Sequence, residues 1–408
     1  MNGITINGTT TGLQAIRKLS NSLVNSDKEN VRELKKKCNE KFLSQGPSSS
    51  NIEGMVRRMF QLLDPFAEIN DKMCKKHELK ECLAIYPSES REYIIDSLVP
   101  AFFIYKDYEN RNQALRIPEV QYFLKKKCEK KALYTKLIMY DRGVTGCILK
   151  DDMKEYIRDT LSLYDGDYFT YQDERFLNEC VDHAIMKIEF FDIDKSNSRY
   201  EIRKLLLSPR IDEFENVLQV PVGVSSNWYA PAKVVGFKNT FTNLDFEDKE
   251  YLSLEEFKRL DGNYSELFYE RVYDVFTGGS NKFTLDHFKK LFLILENRHE
   301  YRAQKILFEI LDINEDGYLC MYDISKWFNS LKKLFTMNTE EDFPSESDFV
   351  NQLFDFLLIP PIECQRISFA DIYTSRKGEQ FYGMLVNCLL YLTFENPEEP
   401  SEEAPNNA

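Results

Sequence analysis

A chain of 408 residues with 43% hydrophobic content is long enough to bury two or three modest cores. Its formal charge of −14, from 53 Lys and Arg against 67 Asp and Glu, excludes broad contact with a phosphate backbone, which needs clustered cations, so no nucleic acid is expected as a partner. Nine scattered cysteines without a CxxC pair argue against a zinc ribbon or a disulfide framework, and no run of 18 apolar residues asks for a membrane, so the expectation is a soluble protein of a reducing compartment.

Residues 1–50 are polar, carry Leu13, Ile16, Leu19 and Leu23 at loose helical spacing, and end in "SQGPSSSN". They read as a flexible N-terminal arm with a short helix, and the basic run "RELKKKCNEKF" within them reads as a solvated helix face. Residues 51–220 are expected to form a helical lobe of degenerate EF-hand-like units, and residues 221–395 a C-terminal EF-hand lobe. The segment 396–408, within "ENPEEPSEEAPNNA", is acidic and Pro-rich and is expected to be a disordered tail. The fold class this predicts is all-α, with tandem EF-hand-like helix–loop–helix units in an elongated two-lobed body.

The reason is a recurring unit: an aromatic-rich helix, a loop, one short apolar stub and a second helix. An EF-hand loop wraps a hard cation with oxygens from positions 1, 3, 5, 7, 9 and 12 and turns on a Gly at position 6. "MYDRGVTGCILKDDMKEYI" places Asp141, Gly146, Ile148 and Asp152 on that pattern, but Gly143 and Thr145 leave too few carboxylates. "FFDIDKSNSRYEIRKLL" offers Asp192, Asp194 and Ser196, then sets Arg199 at the apolar eighth position and Arg203 at the twelfth, where a cation repels the ion.

Next comes "VGVSSNWYAPA", residues 222–232, in which Trp228 and Tyr229 sit in a Gly-, Ser- and Pro-flanked connector. Two readings stay open for them, a partner contact and a wedge between domains. "NLDFEDKEYLSLEEFKRL" gives a second, weaker metal loop of Asp245, Glu247, Tyr251 and Glu256, marred by Lys249 at the fifth position and Glu250 where Gly belongs. "NKFTLDHF" and, further on, "QRISFADI" keep only the apolar position and the second helix.

"FEILDINEDGYLCMYDISKWF", residues 308–328, matches best. Asp312, Asn314, Asp316, the Tyr318 carbonyl and Asp323 fall on ligand positions, with Gly317 at the turn and Leu319 at the apolar position. Asp323 is one methylene shorter than the usual bidentate Glu, and Cys320 supplies no hard oxygen, so calcium is expected at one weak site, with magnesium tolerated. The alternative is a metal-free polar turn between two helices.

His77, His183, His287 and His299 lie in separate segments, and neither HExxH, GxSxG nor a Gly-rich phosphate loop occurs. No intrinsic enzyme is expected.

The order "KLIMYDRGVTGCILKDDMKEYI", "IEFFDIDKSNSRYEIRKLLLSP", "SSNWYAPAKVVGFKNTFTNLDFEDKEYLSLEEF", "LFLILENRHEYRAQKILFEILDINEDGYLCMYDISKWF" and "IECQRISFADIYTS" resembles the B-double-prime regulatory subunits of protein phosphatase 2A, and most closely their short gamma-type members. The resemblance covers residues 95 to 395, roughly, and implies a noncatalytic subunit that joins the phosphatase scaffold and catalytic subunits and sets location and substrate choice. It also implies two calcium-responsive loops, at Asp245 to Glu256 and Asp312 to Asp323. A centrosomal or microtubule-associated recruiting protein is a further implied partner. The location implied is cytoplasmic, at the centrosome, spindle or another microtubule-organising site, with the nucleus a second compartment. A calcium sensor, or a cytoskeletal adaptor acting without the phosphatase, are the rival readings.

Overall fold

The computed structural model describes residues 73–75, 114–143, 145–164, 174–192, 199–260, 262–338, 342–358 and 366–395. The expected arm at 1–50, the acidic tail at 396–408, His77, Asp194 and Ser196 lie outside the described residues. The chain divides into two compact units, Met1–Gln172 with Asp192–Glu215, and Asp173–Phe191 with Asn216–Ala408. The segment 173–191 thus goes with the C-terminal unit, which resumes at Asn216.

The described residues are mostly helical, and their strands are two or three residues long. In the first unit Met73–Lys75 pairs antiparallel with Ala114–Arg116, and the helix Ile117–Ile138 follows. A second pair joins Cys147–Leu149 to Arg199–Glu201, with Ile148 opposite Tyr200. Each of these two strands runs directly into a helix, Lys150–Leu161 and Ile202–Leu205. Lys150–Leu161 buries Asp152, Met153, Tyr156, Ile157, Thr160 and Leu161, the three- and four-residue spacing of one helical face. Tyr156 anchors the core, packing edge-on against Tyr140 and Phe214 at 5.4 and 5.7 Å, and its hydroxyl donates to Glu215.

The second unit repeats a helix, loop, strand, helix order four times. The leading helices are Pro231–Leu244, Glu266–Thr277, Tyr301–Leu311 and Glu346–Leu357. The trailing ones are Leu254–Phe257, Leu285–Glu296, Met321–Asn338 and Phe369–Ser375. The strands pair two by two, Tyr251–Leu252 with Phe283–Thr284, and Tyr318–Leu319 with Ile367–Ser368.

Such short ladders hold because of what they bury. Leu252, Phe283, Leu319 and Ile367 are at most 1% exposed, and full burial of such a side chain contributes about 1.5–3 kcal/mol, more than the two-residue ladder's hydrogen bonds. Phe257 stacks on Phe283 at 4.3 Å and meets Tyr269 edge-on at 5.2 Å. Two further helices, Gly378–Val386 and Cys388–Glu395, follow, and their junction ties back to the middle of the unit. There the Ser265 N–H donates to the Val386 carbonyl and the Cys388 N–H to the Asn263 carbonyl, both at 2.9 Å. No described helix is long and apolar enough to cross a membrane.

Candidate metal centre

The helix Tyr301–Leu311 delivers Asp312 into its loop, and two groups satisfy carbonyls at that helix's C-terminal end. The Trp327 indole N–H donates to the Leu311 carbonyl at 2.8 Å. Arg271, from Glu266–Thr277, donates to the carbonyls of Ile310 at 3.2 Å, Glu309 at 3.3 Å and Asp312 at 2.9 Å. A guanidinium placed there also complements the negative end of the helix dipole. No feature of the sequence pattern around the loop announces Arg271, which is 41 residues away.

The loop turns on left-handed backbone at Glu315 (φ 58°) and Gly317 (φ 82°). Asp312 accepts from the backbone N–H groups of Asp316 at 3.2 Å and Gly317 at 2.8 Å. Asp316 accepts the Tyr318 N–H at 2.9 Å, and Asn314 accepts the Asp316 N–H at 3.2 Å. Asp323 is wholly buried. One of its oxygens accepts from the Ile313 N–H at 2.9 Å, and the other from the Cys320 N–H and thiol, each at 2.9 Å.

Burial pushes the Asp312 carboxyl above its usual range; the Gly317 N–H opposes this, and the charges of Asp323 and Asp316 add to it. No Lys or Arg among the described residues is paired with the carboxylate of Asp312, Asp316 or Asp323. Five oxygen donors with uncompensated charge suit a hard cation. The donors are not preset as a converging cluster: no group of three or more His, Cys, Asp or Glu able to hold a metal is found among the described residues. Asp323 in particular, in the first turn of Met321–Asn338, is turned onto the Ile313 and Cys320 N–H groups and the Cys320 thiol. The set therefore fits a hard cation in its chemistry, and Asp323 would have to exchange these partners for it.

The loop at 245–256 has the same backbone with different contents. Asp248 and Glu250 take left-handed φ of 53° and 65°, so Glu250 turns the chain where glycine was expected. Asp245 accepts from the N–H groups of Lys249 at 3.0 Å and Glu250 at 2.7 Å. The Lys249 ammonium donates to both oxygens of Glu256, at 2.9 and 3.0 Å, and lies 3.2 Å from Glu247. The Ser253 N–H first, then its hydroxyl and Lys249, bring the Glu256 carboxyl down to about 2. The Tyr251 ring lies under both Lys249 and Lys282.

At 141–152, Asp141 accepts from the N–H groups of Thr145 and Gly146, and Arg142 lies 2.8 Å from Asp152 and also pairs with Glu155. In the partner loop the register places buried Tyr200, not Arg199, opposite Ile148. The apolar position is thus one residue later than expected, and Lys204 follows it at the helix start, donating to Glu201 at 2.9 Å.

Of the two readings open for Trp228 and Tyr229, burial of both rings speaks against a partner contact. They are 2% and 1% exposed. Trp228 stacks on His183 at 4.5 Å and 14°, Lys187 lies 5.6 Å over both rings, and the His183 Nε2–H donates to the Trp228 carbonyl at 3.0 Å. The polar connector composition hid an aromatic anchor for the helix Glu174–Asp192. His287 caps its own helix through Thr284, and His299 is exposed, so the three described histidines do not converge.

No protein-family profile matches the chain. It is similar to the B'' gamma regulatory subunit of serine/threonine-protein phosphatase 2A from Danio rerio, 24% identical over 269 residues, 64% of this chain and 57% of that one. The Homo sapiens protein of that name is likewise 24% identical, with 64% and 58% covered. A probable B'' regulatory protein of the same phosphatase from Arabidopsis thaliana, TON2, is 24% identical over 234 residues, 54% and 48% of the two chains. The match thus spans less than three fifths of these relatives' length. A chain of a solved PP2A PR70 holoenzyme superposes with a TM-score of 0.51 at 16% identity, covering 64% of this chain and 97% of that one, a likeness of fold. The likeness to the B-double-prime subunits read from the sequence is thereby upheld, and the relatives are named as regulatory subunits, in keeping with a chain that is not an enzyme.

Proposed function

We propose, from its likeness to the B-double-prime regulatory subunits, that this chain is a noncatalytic regulatory subunit of protein phosphatase 2A. It would bind the scaffold and catalytic subunits and direct location and substrate choice. The observation that carries the reading is the 269-residue similarity to the gamma subunits together with the shared fold of the PR70 chain. In this reading the paired helix–loop–helix units are EF-hand pairs, and one weak calcium ion, or magnesium, sits among Asp312, Asn314, Asp316, the Tyr318 carbonyl and Asp323. A centrosomal or microtubule-associated protein would recruit the complex to the centrosome, spindle or other microtubule-organising site in the cytoplasm.

Size-exclusion chromatography of the purified chain with scaffold and catalytic subunits tests the assignment. Coelution as a one-to-one-to-one complex is expected at micromolar concentration. Separate elution in both calcium and chelator would overturn it, and capture of cytoskeletal proteins alone from native cells would favour an adaptor.

A further inference from the structure

The loops at 245–256 and 312–323 share a backbone and differ in charge. In both, the fourth and sixth residues are left-handed, and the first aspartate accepts the N–H groups of the fifth and sixth. The fifth residue of the later loop is Asp316, an anion. That of the earlier loop is Lys249, whose ammonium touches Glu256 at 2.9 and 3.0 Å and Glu247 at 3.2 Å. Those carboxylates stand at the twelfth and third positions, where an EF-hand supplies oxygens to its ion. Two cations competing for the same carboxylate oxygens repel at contact distance, so the ammonium excludes a divalent ion for as long as it stays. Arg142 uses the same device at 141–152, with its Nε 2.8 Å from Asp152 at the twelfth position. Among the described residues Asp323 has no such cation partner; it accepts from backbone N–H groups and a thiol.

We infer that Lys249 is the resident cation of the 245–256 loop, holding Glu247 and Glu256 in place of a divalent ion, so that this loop keeps its shape without metal and binds none. The inference replaces the weak second metal site expected from Asp245, Glu247, Tyr251 and Glu256. It does not depend on the phosphatase reading or on an ion at 312–323. Of these two loops it leaves 312–323 as the one that could respond to calcium.

Terbium luminescence excited through tyrosine, with calcium calorimetry, tests this on the full chain, each variant's fold being checked by its circular-dichroism melt. Asp312→Ala disables the later loop and leaves the earlier one intact. That variant is expected to bind no ion up to about 1 mM, the weak end of EF-type sites. Adding Lys249→Asn, which exchanges the ammonium for a ligand oxygen, should gain one ion per chain, and Glu256→Gln should then abolish the gain. Binding of one ion by Asp312→Ala that is lost on Glu256→Gln would overturn the inference, as would a folded Lys249→Asn chain that gains nothing. If Lys249→Asn does not fold, Asp312→Ala with and without Glu256→Gln decides alone.

Discussion

At the scale of single residues, Glu250 and Gly317 occupy the same loop position with opposite consequences. Glu250 is held at φ 65° by the bond from its N–H to Asp245. Left-handed backbone costs a residue with a Cβ roughly 1–2 kcal/mol, while glycine costs up to about 1 kcal/mol through the entropy of the unfolded chain. Glu250→Gly should therefore stabilise by about 0.5–1 kcal/mol. Asp248→Gly should gain less, since aspartate tolerates that region better. Gly317 stands at φ 82° with nothing within 4 Å of an added Cβ, so Gly317→Ala should cost only backbone strain, about 1 kcal/mol. Thermal and urea unfolding in chelator read all three. His183 supplies a pH signature: burial first, then nearby Lys289, pushes its imidazole down to about 3, with Lys233 and Lys187 adding to the effect. The unfolded chain, titrating near 6.5, binds a proton that the folded chain refuses, so stability is complete above about pH 6.5 and is lost as pH falls, by up to about 1.4 kcal/mol per unit. Between pH 6.5 and 5, His183→Phe should flatten the unfolding midpoint against pH, and an unchanged slope would show that the ring is not the proton acceptor.

At the scale of elements, the loops persist without ions because the ninth and twelfth positions are also the cap and third residue of the following helix. Ser253 with Glu256, Thr284 with His287 and Ser368 with Asp371 each close a capping box, and Cys320 with Asp323 copies the arrangement through the Cys320 N–H and thiol. The twelfth position of the loop pattern and the acceptor for the helix's N-terminal N–H are thus one side chain. Asp323→Ala should then destabilise in chelator by about 1–3 kcal/mol, leaving buried N–H groups of Ile313 and Cys320 without an acceptor. Asp312→Ala in chelator should cost no more than that, and added calcium should stabilise the unsubstituted chain while leaving both variants unchanged. This double use explains what the sequence made legible. Position-8 residues such as Leu319 and Leu252, the loop bounds and the intact acidic pattern at 312–323 follow from spacing, because spacing fixes both the cap and the turn. Three features do not follow from spacing. Trp228 lies in a Gly, Ser and Pro context that signals a surface connector, yet it is buried by stacking on a histidine 45 positions earlier. Arg271 acts across a similar separation, and Lys249 shows as a disrupted ligand pattern without revealing that its ammonium would reach Glu256.

At the scale of the whole molecule, a weak ion bound at 312–323 as proposed would be felt as far as the loop's contacts carry it. The route out of the loop is short: Arg271 joins Glu266–Thr277 to the carbonyls of Glu309, Ile310 and Asp312. An ion at 312–323 would therefore stiffen the C-terminal strand pair and, through Arg271, the pair containing the Lys249 loop, which is already closed. If the chain assembles with the phosphatase as proposed and the second loop takes no ion, only part of the unit would respond, and the coupling to assembly should be of ordinary size, about 1–2 kcal/mol, or roughly 5- to 30-fold in affinity. Asp312→Ala should weaken assembly with scaffold and catalytic subunits by that factor in calcium and leave it unchanged in chelator. Linkage makes the effect reciprocal, so calcium should bind the assembled complex more tightly than the free chain by the same factor. Arg271→Met, which keeps the stem and removes the donors, should reduce both factors together while retaining one ion per chain. Calorimetry of calcium binding to the free chain and to the complex, beside assembly titrations at matched salt, measures both sides. Unequal factors, or an Arg271→Met chain that keeps the full coupling, would show that the ion acts on assembly by another route.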